Sequence, residues 1–301
     1  MRLPVITAAA ILMTVSANAA ELTGTLQKIK ETNRIVIGIQ EASVPFSYLD
    51  GDQKVIGYAV DICMKIVDAV KQELKLSGLN VETSPVTSSN RIPLMMNGTV
   101  DLVCSSTTNN AERQRQVAFT NSHFLSATRF AARKSDNITT IDALKGKPVV
   151  AISGSTNMVQ LTQTSAARNL GVAVLAAKDQ AEAFLMLETG RAAAYVLDDV
   201  QLAVAIARSK DPSGYLISEE TFSKAEPYGI MLRKDDAPFK TVVDRATANL
   251  YRSPEIEVIY KKWFESPVPP NGLNFRTPMS VVLRNAFANP SDSADPASYE
   301  R

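Results

Sequence analysis

The sequence predicts an α/β protein built as two similar lobes facing each other across a polar cleft. Short apolar runs rich in β-branched residues alternate with runs of helical period, the pattern of parallel α/β layers. A unit of helix end, glycine and buried strand occurs twice, over residues 93–104 around Gly98 and 184–197 around Gly190, placing Ser106 and Asp198 each eight residues beyond its glycine. Polar residues gather after the strand-like runs, where open α/β sheets bind ligands. Chance recurrence of a common helix–glycine–strand connection is the alternative to true lobe symmetry.

Residues 1–19 read as a cleaved secretory segment: Arg2 precedes an apolar run over 6–15, and Ala17-Asn18-Ala19 fits the small-x-small cleavage pattern. That run is shorter than the roughly 20 apolar residues of a membrane span, and no cysteine stands at the cleavage point to take a lipid. A soluble protein of a Gram-negative periplasm, starting near Ala20, is expected. Ile35-Val36-Ile37-Gly38-Ile39 reads as the first strand, and Ile62, Ile66, Val70 and Leu74 mark one face of a helix near 58–75. Further strands are expected at 100–104, 149–152, 172–175 and 194–197. Phe239, Val242, Val243, Ala246 and Leu250 mark a late helix, and Ile256, Ile259, Tyr260 and Trp263 another. The tail from Pro267 begins Pro-Val-Pro-Pro-Asn-Gly and ends in Ser/Asp/Pro-rich sequence, a composition that predicts mobility over its last dozen residues.

Composition excludes several classes of function. Without residues 1–19 the basic count drops by one, from 32 to 31, against 31 acidic residues. A neutral chain gives no reason to expect nucleic acid or an acidic membrane surface as a partner. Cys63 and Cys104 are too few for a disulfide framework. An oxidising compartment permits one bridge between them, and two buried free thiols are the alternative. His123 is the only histidine, so neither a metal-ligand cluster nor a histidine-based triad is expected, and no cofactor.

The stretch from Cys104 to Arg113 runs from a strand end through hydroxyl residues into a helix with arginine in its first turn. Helix starts favour negative charge, so a guanidinium there suggests an anion that joins it, such as a bound carboxylate. The plainer reading is that Asn109 and Glu112 cap the helix and Arg113 lies in solvent. Gln40, Ser153-Gly154-Ser155-Thr156, Asp179 and Gln180 follow the other strands. Arg113 as cation, Asp198 as anion and many hydroxyls together suit a zwitterion. For Asp198 and Asp199 the competing role is to cap the next helix.

These residues resemble the type 3 solute-binding proteins of ABC amino-acid importers, nearest to the glutamate/aspartate-binding members. The landmarks include Ser43-Val44-Pro45-Phe46-Ser47-Tyr48, Asn90-Arg91-Ile92-Pro93-Leu94, Ser106-Thr107-Thr108-Asn109-Asn110, Glu112-Arg113-Gln114, Gly190-Arg191-Ala192 and Met231-Leu232-Arg233-Lys234-Asp235-Asp236, in order along the mature chain. The resemblance implies the two-lobed periplasmic-binding-protein fold. Lobe 1 then comprises 20–125 and 221–266, lobe 2 comprises 126–220, and 267–301 is an extension. Hinge strands are expected near Leu125-Ser126-Ala127 and Glu219-Glu220-Thr221.

By the same resemblance Arg113, Thr108 and Ser155 meet a ligand α-carboxylate, Ser106 and Asp198 its α-ammonium, and Arg91 and Ser88 a distal carboxylate. The distal pocket departs from the pattern: Gln40 stands where the acidic subgroup has a second arginine, Gln180 where it has a histidine and Ile152 where it has a threonine. The expected function is capture of an L-amino acid, glutamate or aspartate first, by a monomer that closes about its hinge and delivers to ABC permease subunits. A neutral amide ligand, glutamine or asparagine, is one alternative. A dehydratase resembling the cyclohexadienyl dehydratases is another, and it needs a cleft acid, for which Glu41 and Asp179 are available.

Overall fold

The computed structural model describes residues 22–300, so the expected secretory segment lies outside the described residues. Two five-stranded sheets, each with its own apolar core, form the two lobes. The first orders its strands Asn80–Pro85, Arg34–Ile39, Leu102–Cys104, Met231–Arg233 and Val117–Phe119, with Met231–Arg233 antiparallel to both of its neighbours. The second orders Ala173–Ala177, Pro148–Ile152, Ala194–Asp198, Thr128–Arg133 and Tyr215–Ile217, with Thr128–Arg133 antiparallel to its neighbours. The central strands are buried along almost their whole length, as strands covered on both faces must be.

The helices form where helical period predicts them. Tyr58–Glu73 buries Ile62, Cys63, Ile66, Val67 and Val70, a stripe at spacings of three and four, against the first sheet and the Ala237–Tyr251 helix. Glu255–Phe264 buries Ile256, Ile259, Tyr260 and Trp263 in the same way. The repeated glycine unit is the same turn in both lobes. Gly98 and Gly190 take φ values of +78° and +77°, and the amides of Val100 and Ala192, two residues on, donate to the carbonyls of Leu94 and Met186. Such a turn needs a left-handed residue, which glycine adopts without the Cβ penalty. Both turns deliver the chain into a central strand, Leu102–Cys104 or Ala194–Asp198, so Ser106 and Asp198 emerge at equivalent places.

Two antiparallel strands, Phe124–Ser126 and Glu226–Tyr228, join the lobes. The return crossing therefore lies at Glu226–Tyr228 and not at Glu219–Thr221. Residues 218–222 still belong to the second lobe, because Ser218 N–H donates to the Phe130 carbonyl and Phe222 N–H to that of Thr128. Beneath the crossings Phe46, Tyr58, Phe124, Tyr228, Tyr260 and Phe264 pack edge to face or stacked at centroid distances of 4.5 to 6.5 Å. His123 is buried among them, and burial holds its imidazole down to about 3, neutral at any physiological pH.

The tail also departs from expectation. Val281–Ala288 is a helix, Tyr299 is buried, and the last residues fold back on the first lobe. Composition does not reveal this because the anchors are one aromatic ring, two ion pairs and main-chain carbonyls, spread through a polar segment. Among the described residues no helix is long and apolar enough to cross a membrane, and no group of His, Cys, Asp and Glu could hold a metal.

Cys63 and Cys104 form a disulfide with their Cα atoms 6.1 Å apart, tying the long helix to the end of the central strand of lobe 1. A bridge spanning a sequence separation of 41 residues removes a large loop entropy from the unfolded chain. The paired substitution Cys63→Ser/Cys104→Ser is expected to lower stability by about 3–4 kcal/mol. Urea melts of that variant against the oxidised protein would measure it, and equal midpoints would contradict it.

Candidate functional site

The carboxyl ends of the two central strands point toward each other across a narrow cleft whose small cavity, about 20 Å³, draws its lining from both lobes. Gln40, Ser88, Arg91, Ser106 and Thr108 come from lobe 1, and Ile152, Ser155, Gln180 and Asp198 from lobe 2. Of the residues expected in the site only Arg113 stands behind this surface, lining an adjoining crevice with Gly154, Ser155, Thr156 and Glu226. Thr156, one of the polar residues expected after the 149–152 strand, also lines the cavity, together with Asn157, Leu197 and Gln201, which the sequence does not single out.

Arg113 sits on a one-turn helix, Ala111–Gln114, whose cap is Asn110: the Arg113 amide donates to Asn110 Oδ1 at 2.9 Å. Asn109 and Glu112 do not form the capping pair, and Arg113 is not in solvent, being only 7% exposed. Its guanidinium donates to the Thr108 carbonyl at 2.8 Å and across the cleft to that of Gly154 at 3.4 Å. Arg91 opens the helix Arg91–Met96, 3% exposed, and donates to Thr107 Oγ1 at 3.0 Å, while its buried Nε has no partner. Burial lowers the pKa of both guanidiniums, and for Arg91 the charge of Arg113 adds to the effect.

Asp198 ends the Ala194–Asp198 strand and is 4% exposed. It stands at the cap position of the helix Asp199–Ala207, yet its side chain makes no capping bond. Instead Oδ1 accepts from Asn157 Nδ2 at 3.0 Å and Thr128 Oγ1 at 3.4 Å. Burial raises its carboxyl from 3.8 to about 6, with Glu226 adding to the rise and the facing Tyr228 hydroxyl opposing it. Arg91, Arg113 and Asp198 form no ion pair with any described residue.

The hydroxyls and amides tie the lobes together. Gln201 Nε2 donates to Ser43 Oγ at 2.8 Å and Ser106 Oγ at 3.1 Å, and Gln180 Nε2 reaches Ser43 Oγ at 3.3 Å. Thr108 and Thr156 hydroxyls meet at 3.2 Å. Ser155 caps the helix Thr156–Ala167, accepting from Met158 N–H and donating to the Ile152 carbonyl at 2.6 Å, so its single proton is committed. Gln40 Nε2 contacts Ser88 Oγ at 3.4 Å, and its Oε1 is buried without a partner. At Gly154 an added Cβ would fall 2.7 Å from Ser89 Cα and 2.9 Å from the Ser88 carbonyl oxygen, so the two backbones meet there directly.

Two similar lobes, two connecting strands and a polar cleft with buried charges define a solute-binding protein. Residues 35–266 match the family of bacterial extracellular solute-binding proteins, family 3, and the chain belongs to that family. It is 47% identical over 286 residues to the L-glutamate/L-aspartate-binding protein of Pseudomonas aeruginosa, covering 95% of this chain and 94% of that one. It is 43% identical to the glutamate/aspartate import solute-binding protein of Escherichia coli K12, over 90% of this chain and 89% of that one. Among solved structures it is similar to an ancestral arginine-binding protein bound to arginine, with a TM-score of 0.69, 29% identity and coverage of 77% of this chain and 98% of that one. These relatives are solute-binding proteins and not enzymes. Residues 267–300 lie beyond the family match.

The native Asp198 carboxyl holds its proton between pH 4 and about 6, where an unfolded chain has released it. Stability should therefore fall as pH rises through that interval and level off above it, by on the order of 2–3 kcal/mol. Asp198→Asn should remove this component of the slope, which melting curves of both proteins from pH 4 to 7 would reveal. Parallel curves would place the carboxyl in water.

Proposed function

We propose that this chain is the capture component of an ABC importer in a Gram-negative periplasm, a monomer that binds an L-amino acid, glutamate or aspartate first, and presents it to membrane permease subunits. One observation carries the reading: Arg91 and Asp198 face one cavity from two lobes, Arg113 lines the crevice adjoining it, and these three buried ionisable side chains have no ion pair among the described residues. A zwitterion completes them. Its α-carboxylate takes the donors of Arg113 and Thr108 beside the Ser155-Thr156 turn, and its α-ammonium takes Asp198 and Ser106. Arg91 with Ser88, Gln40 and Gln180 then serves a distal carboxylate past Ile152, in keeping with the ligands named for the Pseudomonas and Escherichia relatives. The secretory pattern read in residues 1–19 supports the location. Closure of the lobes about Phe124–Ser126 and Glu226–Tyr228 brings Asp198 to a ligand already held by lobe 1.

A second reading is a neutral amide ligand, favoured by the unpartnered Gln40 Oε1, which an amide N–H satisfies and a carboxylate does not. Calorimetric titration of refolded mature protein with L-glutamate, L-aspartate, L-glutamine and L-asparagine separates the two. Tight one-to-one binding of the acids supports the first reading, preference for the amides the second, and silence from all four removes both. Arg113→Ala should weaken every amino-acid ligand by about 100-fold or more, by stranding the carboxylate. Gln40→Arg should tighten glutamate or aspartate by about tenfold without tightening glutamine. Because protonated Asp198 cannot pair with an ammonium, affinity should also fall by up to about tenfold per pH unit below about 6, and Asp198→Asn should flatten that profile.

A further inference from the structure

We propose that residues 290–300 belong to the binding device: they clasp the turn that carries Arg113 and fix its guanidinium in register with the cleft. The proposal rests on the reading of Arg113 as the ligand's carboxylate partner. A single helical turn such as Ala111–Gln114 cannot hold itself, because fixing one turn costs more chain entropy than its hydrogen bonds return. Its upstream side hangs on the return crossing, where Asn109 N–H donates to the Pro227 carbonyl and Gly229 N–H to that of Thr107. Its side chains are held by the tail. The Asp292 carbonyl accepts from Asn109 Nδ2 and Gln114 Nε2, both at 2.9 Å, and Gln114 Nε2 also reaches Asn109 Oδ1 at 2.9 Å. One main-chain oxygen thus joins the two residues that bracket the Asn110-capped turn.

The tail is itself anchored at both ends. The Asp292 carboxylate pairs with Lys240 of the Ala237–Tyr251 helix at 2.8 Å. Ser122, two residues before the first crossing strand, donates its amide to the Ser291 carbonyl at 2.8 Å and meets the Tyr299 hydroxyl at 2.7 Å. Glu300 pairs at 3.1 Å with Lys224, two residues before the second crossing strand. Lys224 follows Ser223, whose hydroxyl accepts from the Thr128 amide of lobe 2. The segment therefore touches the approach to each crossing as well as the turn of Arg113. It lies beyond the family-matched residues 35–266, so the common scaffold does not account for it. Asn109, Gln114 and Asp292 are positioning residues that act through Arg113.

The test compares the full mature chain with a chain ending at Asn289, measuring glutamate affinity by calorimetry, dissociation rate by stopped flow, and melting temperature. Truncation is expected to raise Kd about tenfold through faster dissociation. Gln114→Leu, which leaves the tail in place, is expected to act in the same direction at a melting temperature within a few degrees of the parent, and it keeps the test available if the truncated chain does not fold. Arg113→Lys completes a cycle: a clasp that acts through Arg113 costs less in the Arg113→Lys background than in the parent. Equal Kd values for parent, truncation and Gln114→Leu, or additive costs in the cycle, would overturn the clasp. A full-length protein silent to all four amino acids would overturn the amino-acid reading and the clasp with it, whereas a parent that binds and a truncation that binds equally well would overturn the clasp alone.

Discussion

Keeping Arg91, Arg113 and Asp198 out of water is the constraint on which the rest of this structure depends. A buried charge without a counter-charge costs several kcal/mol, and the protein offers these three only neutral partners: Thr107, the Thr108 and Gly154 carbonyls, Asn157 and Thr128. The signs are divided between the lobes, with the cations on one and the anion on the other. With the lobes apposed, all three are buried, and Arg113 reaches across to the Gly154 carbonyl of the other lobe. A zwitterionic solute restores what apposition removes, so on this reading the free energy that drives closure comes from the ligand's own charges and not from lobe-to-lobe packing. The polar character of the interlobe contacts agrees with this, because they are serine, threonine and glutamine hydrogen bonds that water can replace.

The division also gives the duplicated glycine turn a purpose. One backbone device, at Gly98 and at Gly190, sets two central strands in equivalent positions, and the residues at their ends have diverged to a hydroxyl on one side and a carboxylate on the other. The disulfide strengthens the same place, since Cys104 stands two residues before Ser106. Under the crossings, the neutral His123 behaves as one more ring in an aromatic floor.

Much of this was legible in the residues, and the remainder was hidden for identifiable reasons. Helices with a clear apolar stripe, such as Tyr58–Glu73 and Ala237–Tyr251, reveal themselves by period. A three-residue strand such as Glu226–Tyr228, with a charge and a proline in it, carries no period to read, and the second crossing was accordingly placed too early. Ser155 was legible as a polar residue after a strand, but the commitment of its proton to the Ile152 carbonyl is a fact of three dimensions. Gln201 was overlooked because it falls inside an apolar helix, where a lone polar residue reads as solvent-facing, although here it is 2% exposed and bridges the lobes. The tail's carbonyl contacts leave no trace in side-chain composition.

The contact between Gly154 and the Ser88-Ser89 backbone restricts how the site can evolve. Main chain meets main chain there, with less clearance than one methyl group, so the geometry of approach cannot be tuned in small steps at that point. Variation is channelled instead into side chains that project into the cavity from fixed strand and helix ends. Gln40, Ile152 and Gln180 are such positions, so on the proposed assignment a change of ligand there leaves unaltered how the two halves meet.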